Sequence, residues 1–256
     1  MKDNSMQYND QGYVVIRNFF TLCEMDTIRN VILKFHEAWK TDNKDFYETE
    51  AFNSSLITGS QYLNDEDRLI LFNFISSKKM MTTIESIITA TPAFMNTQLF
   101  FNPFNKQLKT FWHRDCQYDF DLEDQKRVIF EPQVMHLRVP IFDELGMQLV
   151  PGTHKRWDTM EELDVRMERK NRTSCEELSS STQIKLDAGD LLLFSADMIH
   201  RGVYGLDRLA FDILVFDSRG NYADYVDDDC LPNTALLEKI HDPRLFLNTM
   251  NLKTRI

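Results

Sequence analysis

Phe111-Trp112-His113-Arg114-Asp115, taken with His200 far along the chain, is the stretch on which the reading of this sequence turns. His113 and Asp115 stand two apart, and on an extended strand residues i and i+2 point to the same face. One strand can therefore offer an imidazole and a carboxylate to a single ion, provided a third donor arrives from elsewhere. His200 fits, because it follows the apolar run Leu191-Leu192-Leu193-Phe194-Ser195 and precedes another apolar segment at 210–217. Two histidines and one carboxylate hold Fe(II) on one face and leave the opposite face open for substrate and oxygen. His113, Asp115 and His200 are thus the candidate metal ligands and the candidate catalytic centre. A His-x-Asp pair by itself arises often by chance. Its weight comes from its neighbours: Trp112 before it, Pro151-Gly152-Thr153-His154-Lys155 between the ligands, and Arg208 after the distal histidine.

The surrounding pattern is helical first and extended after. Gly12-Tyr13-Val14-Val15-Ile16-Arg17-Asn18-Phe19-Phe20 reads as a short strand. Thr21-Leu22-Cys23-Glu24 has the form of a capping box. Leu22, Met25, Ile28, Ile32, Phe35 and Trp39 then recur at helical spacing. Residues 40–63 are polar and irregular, and helical stretches follow near 64–75 and 77–89. Thr91-Pro92 closes this region. Strands are predicted at 93–101, 109–115, 128–141, 147–150, 183–187, 191–195 and 210–217. Glu144-Leu145-Gly146 and Asp187-Ala188-Gly189-Asp190 read as turns. The charged segment 155–182 reads as an inserted helix or mobile loop. The tail from 221 is acidic and then weakly helical. The fold class is therefore α+β with a mainly β core, a barrel or sandwich. No strand is followed by a glycine-rich loop, which disfavours a nucleotide-binding α/β fold.

These residues together are similar to the phytanoyl-CoA dioxygenase family of Fe(II)/2-oxoglutarate oxygenases, over about residues 10–218. The opening Gly12–Phe20 resembles that family's usual start. Trp112-His113-Arg114-Asp115 resembles its Trp-His-x-Asp motif, and Val150-Pro151-Gly152-Thr153-His154-Lys155 its Pro-Gly-Ser-His-Lys turn. Asp190–Phe194 leading to His200 resembles its last metal-bearing segment. The resemblance implies a double-stranded β-helix (jelly-roll) core with the N-terminal helices packed on one sheet. It implies one domain over 1–256: a helical N-terminal region 1–92, a core 93–218 carrying the insert 155–182, and a tail 219–256. It implies Fe(II) on His113, Asp115 and His200, with 2-oxoglutarate and O2 as cosubstrates. It also implies that Arg208 pairs with the distal carboxylate of 2-oxoglutarate, a task for which a guanidinium fork suits better than an ammonium. The family's spacing between distal His and Arg is usually longer than the compact turn Gly202–Asp207, so Arg201 and Arg219 compete for that role.

Other residues carry two readings each. Asn96 and Gln98 are either contacts of 2-oxoglutarate or structural amides. His136 and Arg138 form the polar face of a strand whose other face is Met135, Leu137, Val139 and Ile141. They are either a pocket wall for a substrate carboxylate or phosphate, or a solvated sheet face. Trp112 packs beside the metal or touches substrate, and Tyr118 lies where pocket lining is expected. Asp115 argues for hydroxylation or a related oxidation, since related halogenases lack the carboxylate.

Composition narrows the partners. The formal net charge of −11 disfavours nucleic acid and anionic membranes, which need a positive field. Cys23, Cys116, Cys175 and Cys230 form no CxxC pair and read as free thiols. No apolar leader-like run follows Met1-Lys2-Asp3, so the expected setting is the cytoplasm. The expected partner is a small-molecule substrate, and the expected state a monomer or homodimer. The competing reading is a non-redox jelly-roll metal protein, an isomerase or small-molecule binder. A scaffold role for the acidic tail is a third.

Overall fold

The computed structural model describes residues 4–254, so Met1–Asp3 and Arg255–Ile256 at the ends of the expected domain lie outside the described residues. The first helix, α1 (Asn4–Gln11), buries no side chain and carries no apolar stripe, so no sequence signal announces it. β1 (Tyr13–Ile16) follows. Thr21 then caps α2 (Leu22–Asp42) with the expected capping box: its hydroxyl accepts from Glu24 N–H, and the Glu24 carboxylate accepts from Thr21 N–H. Met25, Ile28, Ile32, Phe35 and Trp39 lie buried along one face of α2, as their spacing predicts. The region expected to be irregular contains α3 (Lys44–Thr49) and β2 (Asn53–Ser55). α4 (Asp65–Ile75) and α5 (Lys78–Ile87) complete the helical region.

The strands that follow are β3 (Pro92–Phe101), β4 (Val134–Pro140), β5 (Glu144–Leu149), β6 (Thr182–Leu186), β7 (Leu191–Ser195), β8 (His200–Gly202) and β9 (Leu209–Asp217). They form two antiparallel sheets, ordered β1-β7-β4-β9-β3-β2 and β6-β5-β8. The fold is thus a mixture of α and β with antiparallel sheets. Alternation along the strands decides what lies where. Met135, Leu137 and Val139 of β4, Phe211 and Ile213 of β9, and Leu191 and Leu193 of β7 face a core shared with α2, α4 and α5. The opposite parity, Leu192 and Phe194, packs against Met147, Leu149, Leu186 and Met198 between the two sheets. His136, Arg138 and Asp212 share that inner face and line the cavity described below.

Three expectations need correction. The strand at 109–115 is absent: only His113 pairs, in one isolated bridge with His200, because Asp115 already opens a 3-10 turn through Tyr118. The strand at 128–141 is split. Asp121 caps a short α6 (Leu122–Val128) by accepting from Glu123 and Asp124 N–H, and β4 starts only at Val134. Glu144-Leu145-Gly146 is no turn but a bulge inside β5, where the register against β6 shifts between Glu144 and Met147. Gly146 has φ +79°, and a Cβ there would sit 1.8 Å from the Ile184 carbonyl oxygen, so the bulge requires glycine. The insert carries α7 (Met160–Arg166) and packs Val165 and Leu178 against Trp112, Val150 and Ile199. The tail adds α8 (Thr234–Leu237) and α9 (Arg244–Lys253); α9 buries Leu245 and Phe246, and Thr249 Oγ1 donates to the Phe94 carbonyl at 2.7 Å. No helix among the described residues is long and apolar enough to cross a membrane.

Candidate metal centre and active-site cavity

Residues 111–115 and 196–200 run against each other at the β8 edge of the smaller sheet. His113 and His200 exchange both backbone hydrogen bonds (3.0 and 2.9 Å), and their rings stand 4.2 Å apart between centroids. Asp115 N–H then donates to the Ala196 carbonyl at 3.0 Å, which holds the carboxylate beside both rings. Asp115 Oδ1 lies 3.6 Å from His113 Nε2 and 3.5 Å from His200 Nε2. One donor atom from each of the three residues falls within 4.8 Å of the others.

The tautomers suit an ion. His113 Nδ1 faces the Phe111 carbonyl at 3.1 Å and His200 Nδ1 faces the Met198 carbonyl at 2.8 Å. A carbonyl only accepts, so each Nδ1 carries the proton and each Nε2 presents a lone pair. Burial lowers both imidazole pKa values, that of His200 to about 3, so both rings are neutral at pH 7. Burial opposes charge on Asp115, but the hydrogen bond from His136 and the positive charge of that ring outweigh it and hold the carboxyl below the usual range. This neutral-neutral-anionic donor set fits a divalent cation.

Arg114, between the two ligands, points the other way and is fully buried. It pairs with Asp158 (2.7 Å) and donates to the carbonyls of Thr153 (2.6 Å) and Asp197. Asp158 also binds Arg166 at 2.8 Å, so the insert is tied to the loop that carries Asp115. His154 of the Pro-Gly turn is structural: its Nε2 meets the Asn9 carbonyl at 3.1 Å.

A cavity of about 430 Å³ opens over the three candidate ligands, and Arg208, Gln98, His136, Arg138, Tyr118 and Asp119 line it. Arg208 is 4% exposed, yet its charge is poorly matched. Nη1 donates to the Phe101 carbonyl at 3.2 Å, Nε has no hydrogen-bond partner among the described residues, and the nearest carboxylate oxygen, Glu144 Oε2, is 3.7 Å from it. Burial, reinforced by the neighbouring Arg138 cation, lowers its pKa to about 10. A buried guanidinium so placed favours an incoming anion.

A family model for phytanoyl-CoA dioxygenase matches residues 8–203. The chain belongs to the phytanoyl-CoA dioxygenase family. It is therefore an oxygenase dependent on Fe(II), 2-oxoglutarate and O2. The match ends before Arg208, so the assignment of that residue stands on its burial and its poorly matched charge. No curated protein matches the chain. Among solved structures it is similar to HygX from Streptomyces hygroscopicus with nickel and 2-oxoglutarate bound (15% identity, 85% of this chain and 87% of that one, TM-score 0.62). It is also similar to EctD from S. alaskensis with 2-oxoglutarate and 5-hydroxyectoine (12% identity, 96% and 83%, TM-score 0.60). A third is the α-ketoglutarate-dependent epimerase SnoN from nogalamycin biosynthesis (13% identity, 84% and 82%, TM-score 0.52).

Within this family member the other predicted residues divide. Gln98 and Tyr118 line the cavity, the Tyr118 ring standing 5.8 Å from that of His113. Asn96 does not line it. The bulge at Met95 breaks the alternation of β3, Met95 lines the cavity instead, and Asn96 Oδ1 accepts from Thr97 N–H. Trp112 is also withdrawn: its indole N–H donates to the Glu176 carbonyl at 2.7 Å, and Arg201 stacks on its ring. Arg201 and Arg219 are committed elsewhere, to Glu177 and Asp217 respectively, which leaves Arg208 as the arginine with an open side.

His136 and Arg138 are not a solvated face and not a free anion site. His136 Nε2 lies 2.9 Å from Asp115 Oδ2, and its Nδ1 lies 3.4 Å from Asp212 Oδ2 without a well-aligned hydrogen bond. Arg138 binds Glu144 through two bonds (2.8 and 3.0 Å) and Asp212 at 2.9 Å. Burial opposes charge on His136, but Asp115 and Asp212 overcome it and raise its pKa to about 9. A continuous chain of charges, Asp115–His136–Asp212–Arg138–Glu144–Arg208, buried beyond Asp115, thus links the candidate metal carboxylate to the candidate anchor. The polar parity of β4 is legible in the sequence but its partners are not, because Asp212 and Glu144 come from other strands.

Proposed function

We propose that this protein hydroxylates an unactivated C–H bond of a small metabolite while converting 2-oxoglutarate and O2 to succinate and CO2. The observation that carries this reading is Arg208, a buried and under-matched cation in the same cavity as His113, Asp115 and His200. A non-redox metal protein of the same shape has no use for a carboxylate anchor beside its ion. We read the two antiparallel sheets as the halves of a double-stranded β-helix. We read the chain as one domain, since one core joins residues from Val14 to Phe246.

In this reading His113, Asp115 and His200 hold Fe(II). The iron with 2-oxoglutarate and O2 supplies the oxidising chemistry. The chain's own residues do the rest. Arg208 receives the distal carboxylate of 2-oxoglutarate; Glu144 sits behind Arg208, and Arg138 holds Glu144. Gln98 offers an amide to the cosubstrate. His136 occupies Asp115 Oδ2 and leaves Oδ1 for the metal. Phe52, Phe111 and Tyr118 line the cavity and limit water. The carboxylate at 115 fills the position that a halide would need.

The experiment is a metabolite screen that reads 2-oxoglutarate consumption, followed by product mass under 18O2. Hydroxylation adds one oxygen derived from O2. A product that has lost two hydrogens and gained no oxygen would contradict hydroxylation and leave the oxygenase class standing.

A further inference from the structure

A second, smaller cavity of about 90 Å³ adjoins the first, sharing Met95, Asp115, Asp119 and Leu214 with it. Its lining includes three aspartates and no basic residue. Asp119 is exposed at the edge and unpaired by any cation among the described residues, while Asp197 is 5% exposed. We propose that this cavity is an ammonium subsite: it takes a short amine-bearing arm of the substrate, with Asp197 as its anchor and Asp119 at its entrance. The inference rests on the oxygenase reading and names the substrate class within it.

Asp197 is the reason. A carboxylate this buried normally pairs with a cation or collects several strong donors. Asp197 has neither. Its Oδ1 accepts from Cys116 N–H at 3.2 Å, and the Cys116 thiol beside it is a weak neutral donor. Arg114 reaches only the backbone carbonyl of Asp197 and gives its side-chain ion pair to Asp158. Burial accordingly raises the Asp197 pKa to about 6, with Asp115 adding to the effect and the Cys116 and Arg114 interactions opposing it. An ammonium ion entering the cavity would supply the missing counter-charge. Tyr222, Tyr225 and Phe120 add aromatic surface suited to a cation and its methylene groups.

Size and position refine the class. Ligand pockets usually span about 300–1,000 Å³, so 90 Å³ suits an arm and not a whole metabolite. The cavity ends on Asp115, so the oxidised carbon lies within a short chain of the nitrogen. The expected substrate is a small metabolite with a primary amine on a short alkyl arm, its body in the larger cavity.

The test uses the full-length protein loaded with Fe(II) and 2-oxoglutarate under argon, and again without either. Calorimetry compares n-butylamine, n-butanol and n-butyrate. Butylamine should bind at least tenfold more tightly than the other two in both preparations. Asp197→Asn keeps an acceptor for Cys116 N–H and should weaken butylamine at least tenfold, with 2-oxoglutarate affinity unchanged within about twofold. Asp119→Asn should weaken it severalfold. Equal binding of the three probes, no binding of butylamine, or an Asp197→Asn variant with unaltered amine affinity overturns the proposal. So does a variant that loses 2-oxoglutarate as well, which would mark Asp197 as structural. If Asp197→Asn does not fold, the discrimination among the three probes by the wild type decides. Absence of 2-oxoglutarate binding, read in the same titrations, would instead count against the oxygenase reading.

Discussion

His136 Nε2 lies 2.9 Å from Asp115 Oδ2, while Asp115 Oδ1 faces the two other imidazoles at 3.5 and 3.6 Å. A carboxylate only accepts, so His136 donates, and it assigns the two oxygens of Asp115 to different tasks. The ring is itself held by stacking on Phe194, with centroids 4.6 Å apart. His136 is therefore a positioning residue. His136→Ala should keep the fold and lower metal affinity by about 10–100-fold, the usual cost of losing a hydrogen-bond partner of a metal ligand. Anaerobic Fe(II) or Co(II) titration checks this. An unchanged affinity would refute the assignment.

Arg208 and Gly202 form a second testable pair. A Cβ on residue 202 would come within 2.4 Å of Arg208 Nη2. Gly202→Ala should push the guanidinium off its present site without touching a candidate metal ligand. Arg208→Lys removes the planar fork and leaves the charge. Both should weaken 2-oxoglutarate by about 10–100-fold, the loss of one charged hydrogen bond worth roughly 1.5–3 kcal/mol. Metal affinity should stay within about twofold in both. A titration of 2-oxoglutarate into metal-loaded protein gives the answer, and wild-type affinity in Arg208→Lys would exclude Arg208 as the anchor.

The buried group Arg114–Asp158–Arg166 predicts a stability effect. All three side chains are shielded from solvent, and the one carboxylate serves both cations. Asp158→Ala leaves two buried guanidinium groups without their counter-charge, and should cost about 3–5 kcal/mol. Urea unfolding measures it. A loss below about 1 kcal/mol would show that water or rearranged neighbours compensate.

Acid stability should depend on two histidines remote from the candidate ligands' donor atoms. Burial lowers the His36 pKa to about 4, with Lys40 adding to the shift and Glu37 opposing it. Burial likewise lowers His154 to about 4, aided by Lys155 and Arg114 and opposed by the Asn9 carbonyl. In the unfolded chain both titrate near about 6.5. Between about 4 and 6.5 the unfolded state therefore binds protons that the folded state refuses. Stability present above about pH 6.5 is lost as pH falls toward 4, at up to about 1.4 kcal/mol per pH unit for each residue. His154→Gln should flatten that slope in unfolding experiments from about pH 4 to 7. An identical slope in wild type and variant would contradict the argument.

Local signals made much of this structure readable from the residues alone. α2 was legible because its cap and apolar spacing both lie within its own residues. The three candidate ligands were legible because side-chain chemistry and order survive a mistaken secondary structure. Residues 109–115 form no strand, yet His113 and Asp115 still converge, since one bridge and one 3-10 turn do the work assigned to the strand. What was hidden depends on partners distant in sequence. Asn96 leaves the cavity because of one extra residue in β3, and no periodicity announces a bulge. His136 and Arg138 looked like a free polar face because Asp212 and Glu144 lie on other strands. Asp197 was missed for the same reason: its significance is its burial without a cation, which only packing reveals.

The central claim is that His113, Asp115 and His200 hold Fe(II) beside an Arg208-anchored 2-oxoglutarate. Its most direct test is anaerobic addition of 2-oxoglutarate to Fe(II)-loaded protein, followed by visible absorption for the charge-transfer band of a chelated 2-oxo acid. The wild type should develop the band, His113→Ala should not develop it at any 2-oxoglutarate concentration, and Arg208→Lys should need about 10–100-fold more 2-oxoglutarate. A wild type that shows no band, or a His113→Ala variant that shows the wild-type band, would contradict the account.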